Sequence, residues 1–250
     1  MDSEVIVALN AILAVAAFFS SLTGFGYALI ATPFLVLIFP PAVAVPLVLA
    51  TWVPLSVFLA IDVRRDMSPS RIGNLLLGSA FGVPVGVYLL TSLGVQPMQL
   101  AIGSFTLLAA GILIAGPIPR LPGGRALYIA GGMLSGVSGG ATAMSGPPVV
   151  LLGLNQGWEP RSFRADLIGY FTVLHLAVLL LLRASGVFDS SVLSMGIASV
   201  PGVLVGYVIG IRVGKRLSRR RFRVAAIALV SLGGTMVLAA ALAGDIASKI

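Results

Sequence analysis

The 250-residue chain contains no cysteine, one histidine and only eight carboxylates. Without thiols there is no disulfide, no thiolate metal site and no cysteine nucleophile. One imidazole and eight scattered carboxylates are too few for a His-rich or multi-carboxylate metal centre, and no cofactor is expected. Charge is scarce as well. Only 10% of the residues are Asp, Glu, Lys or Arg, where a soluble domain carries about a quarter, too few to cover a surface facing water. Hydrophobic residues make up 58%, so the solvent implied is lipid. The net charge of +8 does not call for nucleic acid, because the basic residues sit in short blocks between apolar runs, where they report orientation in a bilayer. The start, Met1-Asp2-Ser3-Glu4, lacks the positive charge of a secretory signal, so the apolar run from Val5 is expected to remain in the mature protein.

What the chain has in abundance is apolar sequence. About 20 apolar residues span a bilayer as a helix, and six runs meet or approach that length: Ala42–Val63, Ile72–Leu93, Leu100–Ile118, Leu167–Leu182, Val192–Ile211 and Val224–Leu242. Arg183 can snorkel and extend the shortest of them, Leu167–Leu182. Two further stretches are interrupted. Val5–Phe39 is broken by Ser20-Ser21-Leu22-Thr23-Gly24-Phe25-Gly26, and Ala126–Leu154 by Ser135-Gly136-Val137-Ser138-Gly139-Gly140. Glycine weakens helices, and serine and threonine prefer caps to interiors. Each stretch therefore reads as two short helices joined by an unwound apex, which is tolerated at membrane depth only where protein or water satisfies the backbone.

Basic residues set the threading. Arg64, Arg65 and Arg71, then Arg120 and Arg125, then the block from Arg212 to Arg223 mark cytoplasmic segments, and 14 of the 16 basic residues then face inward, with Arg183 and Lys249 outside. Both interrupted stretches must leave and return on one side, the first from outside and the second from inside. Re-entrant hairpins satisfy this, and so do paired full crossings; the nine residues of Ala126–Leu134 are too few to cross. The fold class read from the sequence is thus an all-α integral membrane protein of two inverted-topology repeats, residues 1–119 and 120–250, each a broken hairpin followed by three transmembrane helices. Both termini are placed in the periplasm. Motif echoes support a duplication. The Ser21–Gly26 string with Pro33 answers Ser135–Gly140 with Pro147 at an offset of 114, and Gly82-xxx-Gly86 answers Gly202-xxx-Gly206 at 120. Inverted repeats with interrupted helices at matching places point to a secondary transporter whose site lies where the breaks meet.

A helix restarting after a break aims free N–H groups and a positive dipole end at the gap, which favours anions. Thr23 is positioned to cap a helix resuming near Gly26, and Ser138 one resuming near Ala141. Ser21, Thr23, Gly24, Gly26, Ser135, Ser138, Gly139 and Gly140 are the apex candidates; the bland alternative is that these small residues only allow close helix packing. For Gly82, Gly86, Gly202, Gly206 and Gly210 packing is the better reading. Arg164 admits two: an anion-binding fork, or an anchor paired with Asp166 or Glu159. His175, inside a membrane span, is a functional candidate suited to proton coupling, or else a neutral group hydrogen-bonded to a neighbouring helix. Tyr170, with Thr51, Ser56, Asn74 and Asn10, either lines the same cavity or bridges helices. Asp62 beside Arg64 and Arg65 reads as an interfacial ion pair.

Enzyme readings are weak. There is no HExxH and no Walker motif. Gly136-Val137-Ser138-Gly139 has the GxSG form of a rhomboid-like intramembrane serine protease, with His175 as a possible base, but the echo at Ser21–Gly26 accounts for the string without catalysis.

Thr23-Gly24-Phe25-Gly26-Tyr27-Ala28-Leu29-Ile30-Ala31-Thr32-Pro33, Ser135–Gly140 with Ser145-Gly146-Pro147-Pro148, and the segment from Gln156 to Phe171 together resemble the sulfite exporter TauE/SafE family over nearly the whole chain. Tyr27 stands where that family often has another glycine. The resemblance implies export of a small sulfur-containing anion, sulfite or an organosulfonate, across the bacterial cytoplasmic membrane. The partners expected are that anion and the lipid bilayer, with homo-oligomerisation open and no nucleic acid. A protein that binds or senses the anion without moving it is the competing class.

Overall fold

The computed structural model describes residues 3–115, 119–214 and 218–248, and the regular structure among them is helical. The first half runs α1 (Ser3–Thr23), the short α2 (Tyr27–Leu35), α3 (Pro41–Val63), a 3-10 turn (Arg64–Asp66), α4 (Pro69–Ser92) and α5 (Val95–Ala115). The second runs α6 (Arg125–Thr142), the short α7 (Gly146–Asn155), α8 (Pro160–Ala184), α9 (Ser190–Ala198), α10 (Val200–Gly214) and α11 (Arg219–Ser248). Six helices, α1, α3, α4, α5, α8 and α11, are long and apolar enough to cross a membrane, and α9 with α10 make a seventh if the pair, bent by 43°, is one span.

The six runs read from the sequence fall on α3, α4, α5, α8, the α9–α10 pair and α11. The last three residues of Leu100–Ile118 lie outside the described residues, as do Lys215, Arg216 and Lys249. Helix α8 starts at Pro160, well before Leu167. Proline suits the first helical turn, and the Glu159 carboxylate accepts from the Ser162 amide at 3.2 Å, so the polar segment Arg161–Arg164 is helical too. The bend between α9 and α10 is satisfied from α1: Asn10 Nδ2 donates to Ala198 O at 3.2 Å, and the Gly202 amide donates to Asn10 Oδ1 at 2.8 Å. Asn10 thus bridges helices.

The second break is displaced from its expected place. Ser135–Gly140 is helical within α6, and the chain unwinds at Ala143–Ser145 instead. The reason is packing. Gly78, Gly82 and Gly86 of α4 face α6, where a Cβ would collide with the carbonyls of Ile129, Met133 and Val137. Gly132, Gly136 and Gly140 of α6 face back; a Cβ on Gly136 would come within 2.9 Å of Ser79 Cα, and one on Gly140 within 2.8 Å of Val83 O. Four-residue spacing keeps these glycines on one face, and their small size lets two membrane helices touch backbone to backbone. Helix α10 meets α1 in the same way through Gly202, Gly206 and Gly210.

The helices pair in a reciprocal pattern: α1 packs on α10 and α6 on α4, while α3 lies along α8 and α5 along α11. In the last pair Gly103 accepts Leu238, and Gly234 accepts Leu107. Several basic helix ends are tied together. Arg71 Nη1 pairs with Asp166 Oδ2 at 3.0 Å, joining the starts of α4 and α8. Arg223 Nη2 donates to Leu113 O at 2.6 Å, joining α11 to the end of α5. Asn155 Nδ2 donates to Pro119 O at 2.8 Å, joining the end of α7 to the segment bearing Arg120. At the opposite end Gln96 Nε2 donates to Ala241 O and Gln99 Nε2 to Val36 O, each at 3.0 Å.

Candidate functional site

Both breaks are built alike. Helix α1 ends in Gly24 (φ 78°) and α6 in Ala143 (φ 62°), which is the one non-glycine residue with positive φ among the described residues. The Gly24 amide caps Ser20 O at 2.8 Å and the Ala143 amide caps Gly139 O at 2.9 Å, the left-handed C-terminal cap. The preceding threonine closes each turn. Thr23 Oγ1 accepts from the Phe25 amide at 3.3 Å, and its hydroxyl faces two acceptors, Phe25 O at 2.6 Å and Phe19 O at 3.2 Å. Thr142 Oγ1 accepts from the Met144 amide at 3.2 Å and donates to Ser138 O at 2.7 Å. Neither Thr23 nor Ser138 caps the helix that follows: α2 has Gly26 and α7 has Ser145 at the N-cap, without a side-chain bond. Thr23 and Thr142, Gly24 and Ala143, and the first residues of α3 and α8 (Pro41 and Pro160) are all 119 positions apart, so the register around the breaks is 119 rather than 114.

Residues of both breaks border one small cavity. Phe25, Gly26 and Tyr27 come from the first, Met144, Ser145 and Gly146 from the second, and Trp52, Phe171 and His175 close it. About 20 Å³ is open to the centre of a water-sized sphere, room for one water. His175 is 4% exposed; its Nε2 lies 2.5 Å from Ser145 Oγ, its Nδ1 has no partner among the described residues, and its ring stacks on Phe171 at 5.6 Å. Tyr27 is fixed by its hydroxyl donating to Thr51 Oγ1 at 2.9 Å and by stacking on Trp52 at 5.2 Å. The first amides of α2, on Tyr27, Ala28 and Leu29, have no acceptor within the helix and form its positive dipole end. Helix α7 offers less, because Pro147 and Pro148 fill its first turn and carry no N–H. Its donors reduce to the Gly146 amide and the Ser145 hydroxyl. The two mirrored amide cradles expected from the sequence are therefore unequal, with α2 the richer.

A larger cavity of about 500 Å³ lies between α5 and α7, walled by Leu29, Ala109, Leu113, Val150 and Leu151 and bordered by Arg120, Asn155 and Arg223. Phe25 lines both cavities. A Cβ on Gly146 would stand 3.8 Å from Phe25 Cδ2, so the ring rests against the start of α7.

Paired breaks beside an anion-favouring helix start suit a carrier, and comparison with known families decides which. The family model described as sulfite exporter TauE/SafE matches residues 9–237. The chain belongs to the sulfite exporter TauE/SafE family. It is 29% identical over 182 residues to the probable sulfite/organosulfonate exporter TauE of Cupriavidus necator, covering 70% of this chain and 69% of that protein. No solved structure matches it.

In this TauE/SafE protein the candidates read from the sequence separate into groups. Gly26 and His175 line the small cavity. Thr23 and Gly24 form the first turn, Ser135 Oγ donates to Ser145 O at 2.7 Å, and a Cβ on Gly139 would approach Ser145 Cβ at 3.0 Å; these stand directly behind the breaks. Ser21 Oγ donates to Phe18 O at 2.8 Å and faces Gly210. Ser138 Oγ donates to Ser135 O at 3.2 Å, while His175 bonds Ser145, so a Ser138–His175 dyad is not assembled. Gly140 packs on α4. Tyr170 bridges helices, its hydroxyl 2.7 Å from Ser79 Oγ and 3.5 Å from Gly132 O. Arg164 lies against Gly24, donates from Nη2 to Ser21 O at 3.4 Å, and leaves a buried Nε without a partner among the described residues. Neither of its expected partners pairs with it: Asp166 is held by Arg71, and Glu159 caps α8. Asp62 makes no ion pair with Arg64 or Arg65 among the described residues. The sequence reading missed Phe25, Tyr27, Trp52, Met144, Ser145 and Phe171. The common interval of 119 was the signal that locates the second break.

Proposed function

We propose that this protein is a secondary transporter exporting a small sulfur-containing anion, sulfite or an organosulfonate, from the bacterial cytoplasm, with the anion held between the two breaks. The observation that carries this reading is one cavity lined by residues of both breaks, the first turn of α2, Gly146 and the Ser145–His175 pair among them; in this conformer it has room for one water, so the breaks part to admit the anion. Those groups suit an oxyanion: N–H donors at a helix start and, with Ser145 Oγ donating to Nε2, an Nδ1–H left free to donate. Arg164, whose side chain lies against Gly24, supplies a guanidinium behind the first break and favours anion entry there.

The reciprocal packing supports two inverted repeats, residues 1–119 and 120–250: the first long helix of each half packs on the fourth-segment helix of the other, and the third and fifth segments pair with their counterparts. The arginines gathered at one end support a cytoplasmic face there, with both termini periplasmic. One contact breaks the reciprocity. Helix α2 packs on α11 through Pro33 and Phe34 beside Gly233, with a smaller cavity of about 200 Å³ between the two helices near Gly26–Ile30, whereas the cavity of about 500 Å³ separates α7 from α5. We read this conformer as open toward the cytoplasm and closed at Phe25. In the opposite state α7 docks on α5 and α2 leaves α11, which is alternating access by exchange of repeat conformations.

The driving force needs no nucleotide. A membrane potential of about 100 mV, inside negative, supplies about 2.3 kcal/mol per exported negative charge. Flux in proteoliposomes tests the reading: sulfite or sulfoacetate should move outward faster when the potential is inside negative. Binding of these anions without flux would instead establish a sensor.

A further inference from the structure

An inorganic oxyanion needs polar contacts and little space, and the vestibule between α5 and α7 offers the reverse. Its wall is apolar, from Leu29, Leu113, Val150 and Leu151, and its cations stand at the border, on Arg120 and Arg223, with no carboxylate among its lining residues. The border is fixed. Arg223 is anchored through Nη2 to Leu113 O at 2.6 Å. The Arg120 segment is pinned to the end of α7, where the Leu121 amide donates to Asn155 Oδ1 at 3.0 Å. A cavity of about 500 Å³ with apolar walls and a few placed polar groups is the usual form of a site for an organic ligand. Its inner wall includes Phe25 and Leu29, both of which also line the cavity at the breaks.

We infer that the vestibule is a second binding site, ahead of the breaks, for anions that carry an apolar body: the anionic head lies between Arg120 and Arg223 and the body lies on the α5–α7 wall. Alkane- and arenesulfonates have this chemistry. The inference rests on the transport reading for its direction and extends it to selectivity, because a cargo with a carbon body gains here what sulfite cannot. The occupant proposed is a single anionic amphiphile, with a membrane phospholipid as the alternative the test excludes.

Binding, which requires no flux, is the test. The protein in nanodiscs is titrated by calorimetry with methanesulfonate and with hexanesulfonate. Hexanesulfonate should bind at least about tenfold tighter, the effect of burying about two methylenes. Arg223→Gln and Arg120→Gln should each weaken hexanesulfonate, with a shallower salt dependence. Leu151→Trp should remove the preference for the longer chain by filling the wall, and Leu154→Trp, at a site 63% exposed, serves if the first variant does not fold. Equal affinity for the two sulfonates, or a preference that survives both tryptophan variants, would overturn the inference. So would native mass spectrometry showing a retained phospholipid that hexanesulfonate does not displace. Absence of flux in proteoliposomes would sink the transport reading alone and leave these affinities to decide the vestibule.

Discussion

Ser145 Oγ lies 2.5 Å from His175 Nε2 across the second break, and this contact is what joins α8 to the unwound turn. Ser145→Ala would leave both nitrogens of a buried imidazole without partners, which costs about 1–3 kcal/mol, and should lower the thermal midpoint in detergent. Adding His175→Phe to that variant removes the orphaned nitrogens and keeps a ring for Phe171 to stack on. It should restore stability relative to Ser145→Ala while abolishing flux. Full flux in His175→Phe would remove the imidazole from the site.

Ala143 holds a left-handed conformation, φ 62°, at a cost for an L-residue of about 1–2 kcal/mol. Ala143→Gly should raise stability by up to about 1 kcal/mol, and Ala143→Val should lower it by more than that, since β-branched residues tolerate positive φ least. Thermal unfolding of the three proteins gives the order Gly, Ala, Val. A reversed order would mean that the turn is not held as described.

Two glycines should respond oppositely to the same substitution. A Cβ on Gly206 would strike the backbone carbonyl of Ala14, while one on Gly111 meets nothing within 4 Å. Gly206→Ala should force α1 and α10 apart and reduce folded protein in the membrane. Gly111→Ala should be neutral or slightly stabilising, by helix propensity. The comparison is read by detergent-resistant folding of each variant.

Phe25 lines both the vestibule and the cavity at the breaks and stands between Gly24 and Gly26, whose φ values are 78° and 90°. Phe25→Ala should merge the two spaces and raise passive anion leak, measured as flux without a potential. Phe25→Leu, which keeps a plug, should leak less than alanine. Equal leak in wild type and Phe25→Ala would place the barrier elsewhere.

Much of this architecture was legible in the sequence, and the misreadings share one cause. Apolar runs located α3, α4, α5, α8, the α9–α10 pair and α11 because bilayer thickness fixes their length, but α1, read as one of two short helices, has 21 residues and is long enough to cross. The first break fell where expected because Gly24 and Gly26 adopt backbone angles that glycine favours. The second was misplaced because Gly132, Gly136 and Gly140 look like an unwinding signal in one dimension but serve a helix contact in three. The actual turn uses Ala143, which no composition rule marks. Thr23 and Thr142 carried the better register, being the residues that close the turns. Partners could not be read at all: Asp166 lies two residues from Arg164 in sequence yet pairs with Arg71, and Tyr170 turns to Ser79 because α8 crosses α4 there.

The central claim is that an anion occupies the space between the two breaks. Because the chain has no cysteine, Met144→Cys would place a single thiol at that space, and its modification by a charged maleimide can be timed in inside-out vesicles. Sulfoacetate at saturating concentration should slow the modification severalfold, and only from the cytoplasmic face. A rate indifferent to the anion, or labelling only by a lipid-soluble maleimide, would contradict it.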